Sequence, residues 1–324
     1  MLTYILFIVG FIFLVKGADL LVDGAAAFAK KFKISTLVIG LTIVAFGTSA
    51  PELVVNIFAS ISGNSEIAIG NILGSNIANI LLILGISALI FPLPAKKSTI
   101  KKEIPFSLLA VLVLGILVND LLIDQVNLLD GASGLLSRID GLILLAFMTI
   151  FMVYTFGIAK NPEEAGEGEE IKNLPLAKSI AYIGIGLLGL VLGGRWIVNG
   201  AVKIAELFNV SEALIGLTIV AVGTSLPELA TSAVAAYKKQ ADIAIGNIVG
   251  SNIFNIFFVL GVSSIIRPLP FNASSNIDIG MVILATIMLM LALFIGKKGV
   301  IKRWQGAIMI LCYIAYTSFL IISR

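Results

Sequence analysis

Gly40-Leu41-Thr42-Ile43-Val44-Ala45-Phe46-Gly47-Thr48-Ser49-Ala50-Pro51-Glu52-Leu53 is written a second time in this chain, as Gly216-Leu217-Thr218-Ile219-Val220-Ala221-Val222-Gly223-Thr224-Ser225-Leu226-Pro227-Glu228-Leu229. The copies lie 176 residues apart, and the register holds without a gap from Gly17/Gly193 to Pro94/Pro270 with about half of the aligned positions identical. Each copy sets a carboxylate, a proline, a glycine and two hydroxyls inside an apolar stretch. A carboxylate at the centre of a membrane helix costs about 2.5–3.5 kcal/mol on the insertion scale. Its duplication beside a proline points to one site assembled from two halves.

Working outward, the composition makes the whole chain a membrane protein. Of its 324 residues 59% are hydrophobic and 13% charged, and the mean hydropathy is +1.08. Apolar runs recur near the ~20 residues that cross a bilayer as a helix. Alternating strand patterns of ~10 residues are missing, which argues against a membrane barrel. The expected fold is therefore all-α, with spans at 2–29, 35–61, 66–91, 103–119 and 137–158, then 177–206, 211–237, 242–266, 277–296 and 303–322. The first segment has no basic n-region and carries Lys16, Asp19 and Asp23, so it reads as a retained helix rather than a signal peptide. Cys312 has no second cysteine to pair with and reads as core packing, and the chain contains no histidine to relay protons near neutrality.

Three parts follow: a first five-helix repeat over 1–158, an acidic linker over 159–176, and a second repeat over 177–324. The linker opens with Asn161-Pro162 and holds Glu163, Glu164, Glu167, Glu169 and Glu170 among glycines, a solvated composition. Arg138-Ile139-Asp140-Gly141 matches Arg303-Trp304-Gln305-Gly306 at an offset of 165, so the first half carries an insertion before its last helix. With ten helices one face receives nearly all the loop lysines: Lys30, Lys31, Lys33, Lys96, Lys97, Lys101, Lys102, Lys160, Lys172, Lys178, Lys238, Lys239, Lys297, Lys298 and Lys302, with Arg303. The positive-inside rule puts that face and the linker in the cytoplasm of a cell-membrane protein, and both termini outside. An odd helix number per repeat makes the second copy enter the bilayer from the opposite side. Such inverted repeats let a transporter expose one midplane site to each face in turn.

Within each repeat two adjacent helices look broken. Pro51 and Pro227 each remove a backbone donor mid-span and are expected to loosen carbonyls near Ala45 and Ala221. The following helices carry Gly70-Asn71-Ile72-Leu73-Gly74-Ser75-Asn76-Ile77-Ala78-Asn79 and Gly246-Asn247-Ile248-Val249-Gly250-Ser251-Asn252-Ile253-Phe254-Asn255. Ser75 and Asn79 are four apart and are expected to share a face, as are Ser251 and Asn255. The oxygens collected are those of Glu52, Thr48, Ser49, Ser75 and Asn79 from one half and Glu228, Thr224, Ser225, Ser251 and Asn255 from the other. An all-oxygen cage without Cys or His suits a hard cation, and two carboxylates neutralise one divalent ion. Ca²⁺ fits a flexible cage better than Mg²⁺, and the same hydroxyls, amides and carbonyls suit Na⁺. Competition of the two ions for shared oxygens is the physical core of an exchanger.

The competing readings are structural. Serine and threonine hydroxyls in helices often bond back to their own backbone, Ser49 and Ser225 above all. Asn71, Asn76, Asn247 and Asn252 lie on other faces and read as helix glue. Asp19 and Arg195 occupy equivalent places and are expected to sit near an interface rather than to pair. Two further classes of function are a passive channel, which usually builds its filter between subunits, and an intramembrane acid hydrolase using the two glutamates. The latter lacks a nucleophile–base arrangement.

The paired Gly-Thr-Ser-x-Pro-Glu and Gly-Asn-x-x-Gly-Ser-Asn-x-x-Asn segments resemble the α-repeats of the sodium/calcium exchanger family, within the cation/Ca²⁺ antiporter superfamily. The resemblance covers nearly the whole membrane chain. It implies ten helices in two inverted repeats and exchange of Na⁺ for Ca²⁺ by alternating access, with no enzyme activity and no cofactor. By position it assigns Glu52 and Glu228 to the central Ca²⁺ and flanking Na⁺. Thr48, Ser49, Ser75, Thr224, Ser225, Ser251 and the Ala45 and Ala221 carbonyls complete the sites. Some relatives, the K⁺-dependent branch among them, have aspartate where this chain has Asn255, which implies K⁺-independence here. The proton-coupled Ca²⁺ exchangers are a more distant match and typically place a histidine near the second motif. The 160–175 linker is too short for the regulatory Ca²⁺ domains of animal exchangers. The expected partners are the two ions and the lipid bilayer, with no nucleic acid and a functional monomer. The first helix of each repeat, glycine-rich and less polar, is expected to slide while the rest stays fixed.

Overall fold

The computed structural model describes residues 2–119, 134–159, 171–207, 221–295 and 298–323. These form twelve helices: α1 (Leu2–Phe32), α2 (Thr36–Thr48), α3 (Ala50–Ser62), α4 (Ser65–Ile90), α5 (Ile104–Leu117), α6 (Arg138–Ala159), α7 (Leu176–Leu207), α8 (Ala221–Thr224), α9 (Leu226–Tyr237), α10 (Ala241–Ile266), α11 (Asn276–Phe294) and α12 (Arg303–Ser323). Seven are long and apolar enough to cross a membrane, and the pair α2–α3, bent by 45°, makes an eighth span if taken as one. The two expected spans outside this set are instructive. The segment 103–119 yields a helix of 14 residues, preceded by a wide π-type turn, Thr99–Glu103, that carries Lys101, Lys102 and Glu103. The segment 211–237 is described only from Ala221 onward. Most of the acidic linker and the insertion ahead of α6 also lie outside the described residues.

Burial grades from the centre outward. Every residue of α10 from Ala241 to Ile253 is buried, whereas α1, α7 and α12 turn Ile8, Phe11, Ile12, Ile185, Leu188, Leu311 and Ile314 outward. Large apolar side chains on the outside of a helical bundle are what a hydrocarbon solvent selects. The protein is a multi-span membrane protein. Cys312 is half-buried against the core.

Helices α1 and α7 make the most extensive packing of any pair. Their glycines explain it: a Cβ on Gly17 would lie 2.8 Å from the carbonyl of Gly186 and from the backbone nitrogen of Leu190, and one on Gly10 would lie 2.9 Å from the carbonyl of Gly193. Only backbone fits between them. At the end of α1, Asp23 is buried and pairs with Lys172 at 2.7 Å and Lys238 at 2.6 Å, while Lys238 also reaches Asp19 at 2.6 Å. Asp19 thus pairs with Lys238 and not with Arg195. The hydrogen bond to Asp23 holds the Lys172 ammonium above the ordinary lysine range. On the lysine side the pair is therefore lost only as pH climbs through that raised range.

Contacts recur in matched sets. Leu93–Pro94 (β1) pairs antiparallel with Val300–Ile301 (β4), and Gly134–Leu136 (β2) with Leu269–Phe271 (β3). Gly85 of α4 meets the carbonyl of Gly306 in α12, and Gly141 of α6 meets that of Gly261 in α10. In each set the end of a motif helix, or the strand after it, meets the last helix of the other half or the strand before it, so the two halves of the chain are interlocked rather than set side by side.

Candidate functional site

Both signature segments fold into a helix, a break and a second helix. Ser49 stands at the first break with φ −80 and ψ 5, and Ser225 at the second with φ −86 and ψ 5. Pro51 and Pro227 occupy the first turns of α3 and α9, where a missing N–H costs nothing. Each glutamate lies in that same first turn, where the helix N-terminus favours negative charge. Both Glu52 and Glu228 are 0% exposed. None of the ion pairs among the described residues involves either of them.

Neutral oxygens surround them in a crossed pattern. Ser49 Oγ donates to Glu228 Oε1 at 3.1 Å, and Ser225 Oγ lies 3.4 Å from Glu52 Oε1. Ser75 Oγ reaches Glu52 Oε1 at 3.3 Å, and Ser251 Oγ reaches Glu228 Oε1 at 3.4 Å. Ser225 and Ser75 are themselves 3.2 Å apart. The break serines, whose geometry invites bonding within their own helix, donate instead to the carboxylate of the other half. In each glutamate one oxygen takes all of these contacts, and Oε2 is buried with no partner.

Thr48 and Thr224 also reach the neighbouring asparagines. Thr48 Oγ1 donates to Asn247 Oδ1 at 3.0 Å and lies 3.3 Å from the Ala45 carbonyl. Thr224 Oγ1 lies 3.4 Å from Asn71 Oδ1. Asn247 then donates to Ser232 at 3.0 Å, as Asn71 does to Asn56 at 2.7 Å. Asn71 and Asn247 are glue, as expected, yet the glue runs directly to the site threonines. Asn56 and Ser232 were invisible in the repeat because the two positions differ.

One expectation changes. The carbonyl of Ala45 is not loosened: it keeps its helical bond from the Ser49 N–H at 3.0 Å. Proline deprives the carbonyl four residues before it, and four before Pro51 is Gly47. Ala45 nonetheless faces inward, because the Ser251 hydroxyl lies 3.5 Å from its oxygen. Ala221 opens α8 at the edge of the described residues. The Asn79 and Asn255 amides bond across the two halves of the chain. Neither bonds a glutamate; the Asn79 amide nitrogen goes to Asn252 Oδ1 at 2.9 Å and that of Asn255 to Asn76 Oδ1 at 3.0 Å. Wide turns at Ala78–Ile83 and Phe254–Leu260 begin one residue before each asparagine. Such turns reset helix register and concentrate at functional sites. Both Oδ1 atoms are buried without a partner.

Each of the two carboxylates therefore keeps one orphaned oxygen, ringed by hydroxyls, and among the described residues no ion pair involves either. Buried anions without a partner are expensive. A cation or protons must neutralise them. Among the described residues no group of three or more His, Cys, Asp or Glu gathers for a metal, so the charge available is that of two carboxylates. This suits a hard cation held reversibly.

Comparisons with known proteins agree over the whole length. The profile of the sodium/calcium exchanger protein family matches residues 2–157 and 178–322. The sodium/calcium exchanger MaX1 of Methanosarcina acetivorans is 33% identical over 341 aligned positions, covering 97% of each chain. Inner membrane protein YrbG of Escherichia coli is 38% identical over 276, covering 83% of this chain and 81% of its own. The solved structure of the sodium-calcium exchanger NCX_Mj soaked with 2.5 mM Na⁺ and 0.1 mM Ca²⁺ superposes with a TM-score of 0.81 at 33% identity, covering 98% of each chain. By these matches, and by the doubled motif they span, the chain belongs to the sodium/calcium exchanger family.

Proposed function

We propose that this protein exchanges Na⁺ for Ca²⁺ across the cell membrane, independently of K⁺, by alternating access at the Glu52–Glu228 site. The observation that carries the reading is the pair of fully buried glutamates, each with one oxygen unpartnered and, among the described residues, no ion pair. Ca²⁺ takes six to eight oxygens, and Glu52, Glu228, Ser49, Ser225, Ser75, Ser251 and the Ala45 carbonyl lie together. Thr48, Thr224, Ala221, Asn79 and Asn255 complete the set assigned to Na⁺ and Ca²⁺. Asn255 is neutral, which favours K⁺-independence.

The crossed hydrogen bonds support two symmetry-related repeats, 1–158 and 177–324, while the lysine-rich loops favour ten spans in inverted order, a cytoplasmic linker at 159–176 and both termini outside. Bonds pair off at an offset of 176: Ser49 to Glu228 with Ser225 to Glu52, and Ser75 to Glu52 with Ser251 to Glu228. The glycine seam between α1 and α7 supports sliding of these two helices past a fixed remainder. The working unit is the monomer, since one chain supplies both halves of the site.

In proteoliposomes loaded with Na⁺, an outward Na⁺ gradient drives uptake of radiolabelled Ca²⁺, with or without K⁺. Glu52→Gln and Glu228→Gln each reduce that uptake to background. Uptake that ignores Na⁺ and follows a pH gradient would assign the exchange to protons instead, and currents far above carrier turnover would make the protein a channel.

A further inference from the structure

Four asparagines close into one buried network beside the carboxylates. Asn76 Nδ2 donates to the backbone carbonyl of Asn252 at 3.2 Å, and Asn252 Nδ2 to the backbone carbonyl of Asn76 at 3.3 Å. Asn79 Nδ2 donates to Asn252 Oδ1 at 2.9 Å, and Asn255 Nδ2 to Asn76 Oδ1 at 3.0 Å. All four side chains are at most 1% exposed.

The donor and acceptor directions in this network are forced by chemistry. A backbone carbonyl only accepts, so Asn252 has to turn its NH₂ toward Asn76. That leaves its Oδ1 on the other side, and an amide oxygen also only accepts. Asn79 must then present its NH₂, which throws its own Oδ1 to the far side, where it is buried with no partner. The same steps, begun at the carbonyl of Asn252, fix Asn76 and then Asn255, whose Oδ1 is likewise unpartnered. Without such an anchor an amide can rotate by half a turn into the same volume with its polarity reversed.

We propose that Asn76 and Asn252 are positioning residues that lock the amides of Asn79 and Asn255 with oxygen, rather than NH₂, toward the transported cation. The inference rests on the reading that the ion binds at Glu52 and Glu228. A reversed amide sets a donor against the cation and removes an ion–dipole contact. Asn76 and Asn252 never touch the ion; each acts through the asparagine of the opposite half.

The test is a double-mutant cycle on equilibrium Ca²⁺ binding to the purified full-length protein. Losing one contact of the strength of a charge-assisted hydrogen bond weakens binding about 10-fold. Asn252→Ala is expected to show this loss in the native background and to add less than about 2-fold in an Asn79→Ala background, because coupled residues are not additive. A residue that merely holds helices together would cost the same in both backgrounds, and that result overturns the proposal. Unchanged binding in Asn79→Ala alone overturns it as well. Retained Ca²⁺ binding in Glu228→Gln overturns the underlying site reading, which separates that failure from a failure of the lock. If Asn252→Ala does not fold, Asn76→Ala in native and Asn255→Ala backgrounds repeats the cycle on the other arm with the same criteria.

Discussion

At the scale of single residues the site is built by exchange between halves: the serine of one break serves the glutamate of the other. Ser49 Oγ to Glu228 at 3.1 Å and Ser225 Oγ to Glu52 at 3.4 Å are hydrogen bonds to ionisable oxygens, a class worth about 1.5–3 kcal/mol. Ser49→Ala and Ser225→Ala are therefore expected to weaken apparent Ca²⁺ affinity by roughly 10-fold each without abolishing transport, as read by uptake over a Ca²⁺ series. Loss as complete as that of Glu52→Gln would mean that the serines do more than orient the carboxylates. Most of this set could be read from the repeat, because a polar side chain in a lipid-crossing helix has few structural excuses. The crossing itself could not. A sequence names the donors, and only the packed halves decide which acceptor each one meets. For the same reason Asn76 and Asn252 read as helix glue until their bonds to Asn255 and Asn79 were in view.

Among elements, the breaks announced themselves and the wide turns did not. Pro51 and Pro227 mark the ends of α2 and α8 because proline cannot continue a helical ladder. The turns at Ala78–Ile83 and Phe254–Leu260 fall in sequence with neither glycine nor proline, where inserting one residue per turn leaves no compositional trace. The α1–α7 seam shows the opposite case, since its glycines were plain in the sequence and their purpose became clear with the contacts. A Cβ at Gly17 would sit 2.8 Å from backbone atoms of Gly186 and Leu190, which cannot move aside as a side chain would. Gly17→Ala is expected to force α1 from α7 at an overpacking cost of about 1–3 kcal/mol. Helix sliding predicts several-fold slower Ca²⁺ exchange with equilibrium Ca²⁺ affinity nearly unchanged. Slower exchange with an equal loss of affinity would place the seam in the binding site instead of the moving part.

At the scale of the whole molecule, the short strands and glycine crossings tie each half to the far end of the other, with α4 held against α12 and α10 against α6. Every ion pair among the described residues uses a lysine of the basic-rich face: Lys96, Lys172 or Lys238. The centre instead keeps two carboxylates without a basic partner and surrounds them with neutral oxygens. A site so arranged needs a cation to complete it, and ions of similar size and hardness must contend for the same atoms. The most direct test of that claim is a Ca²⁺-binding isotherm on the purified protein, repeated at rising Na⁺ and in Glu52→Gln. Shared oxygens predict that Na⁺ shifts the isotherm to higher Ca²⁺ without lowering its plateau, and that Glu52→Gln removes binding. Ca²⁺ binding that ignores Na⁺, or that survives in Glu52→Gln, would contradict it.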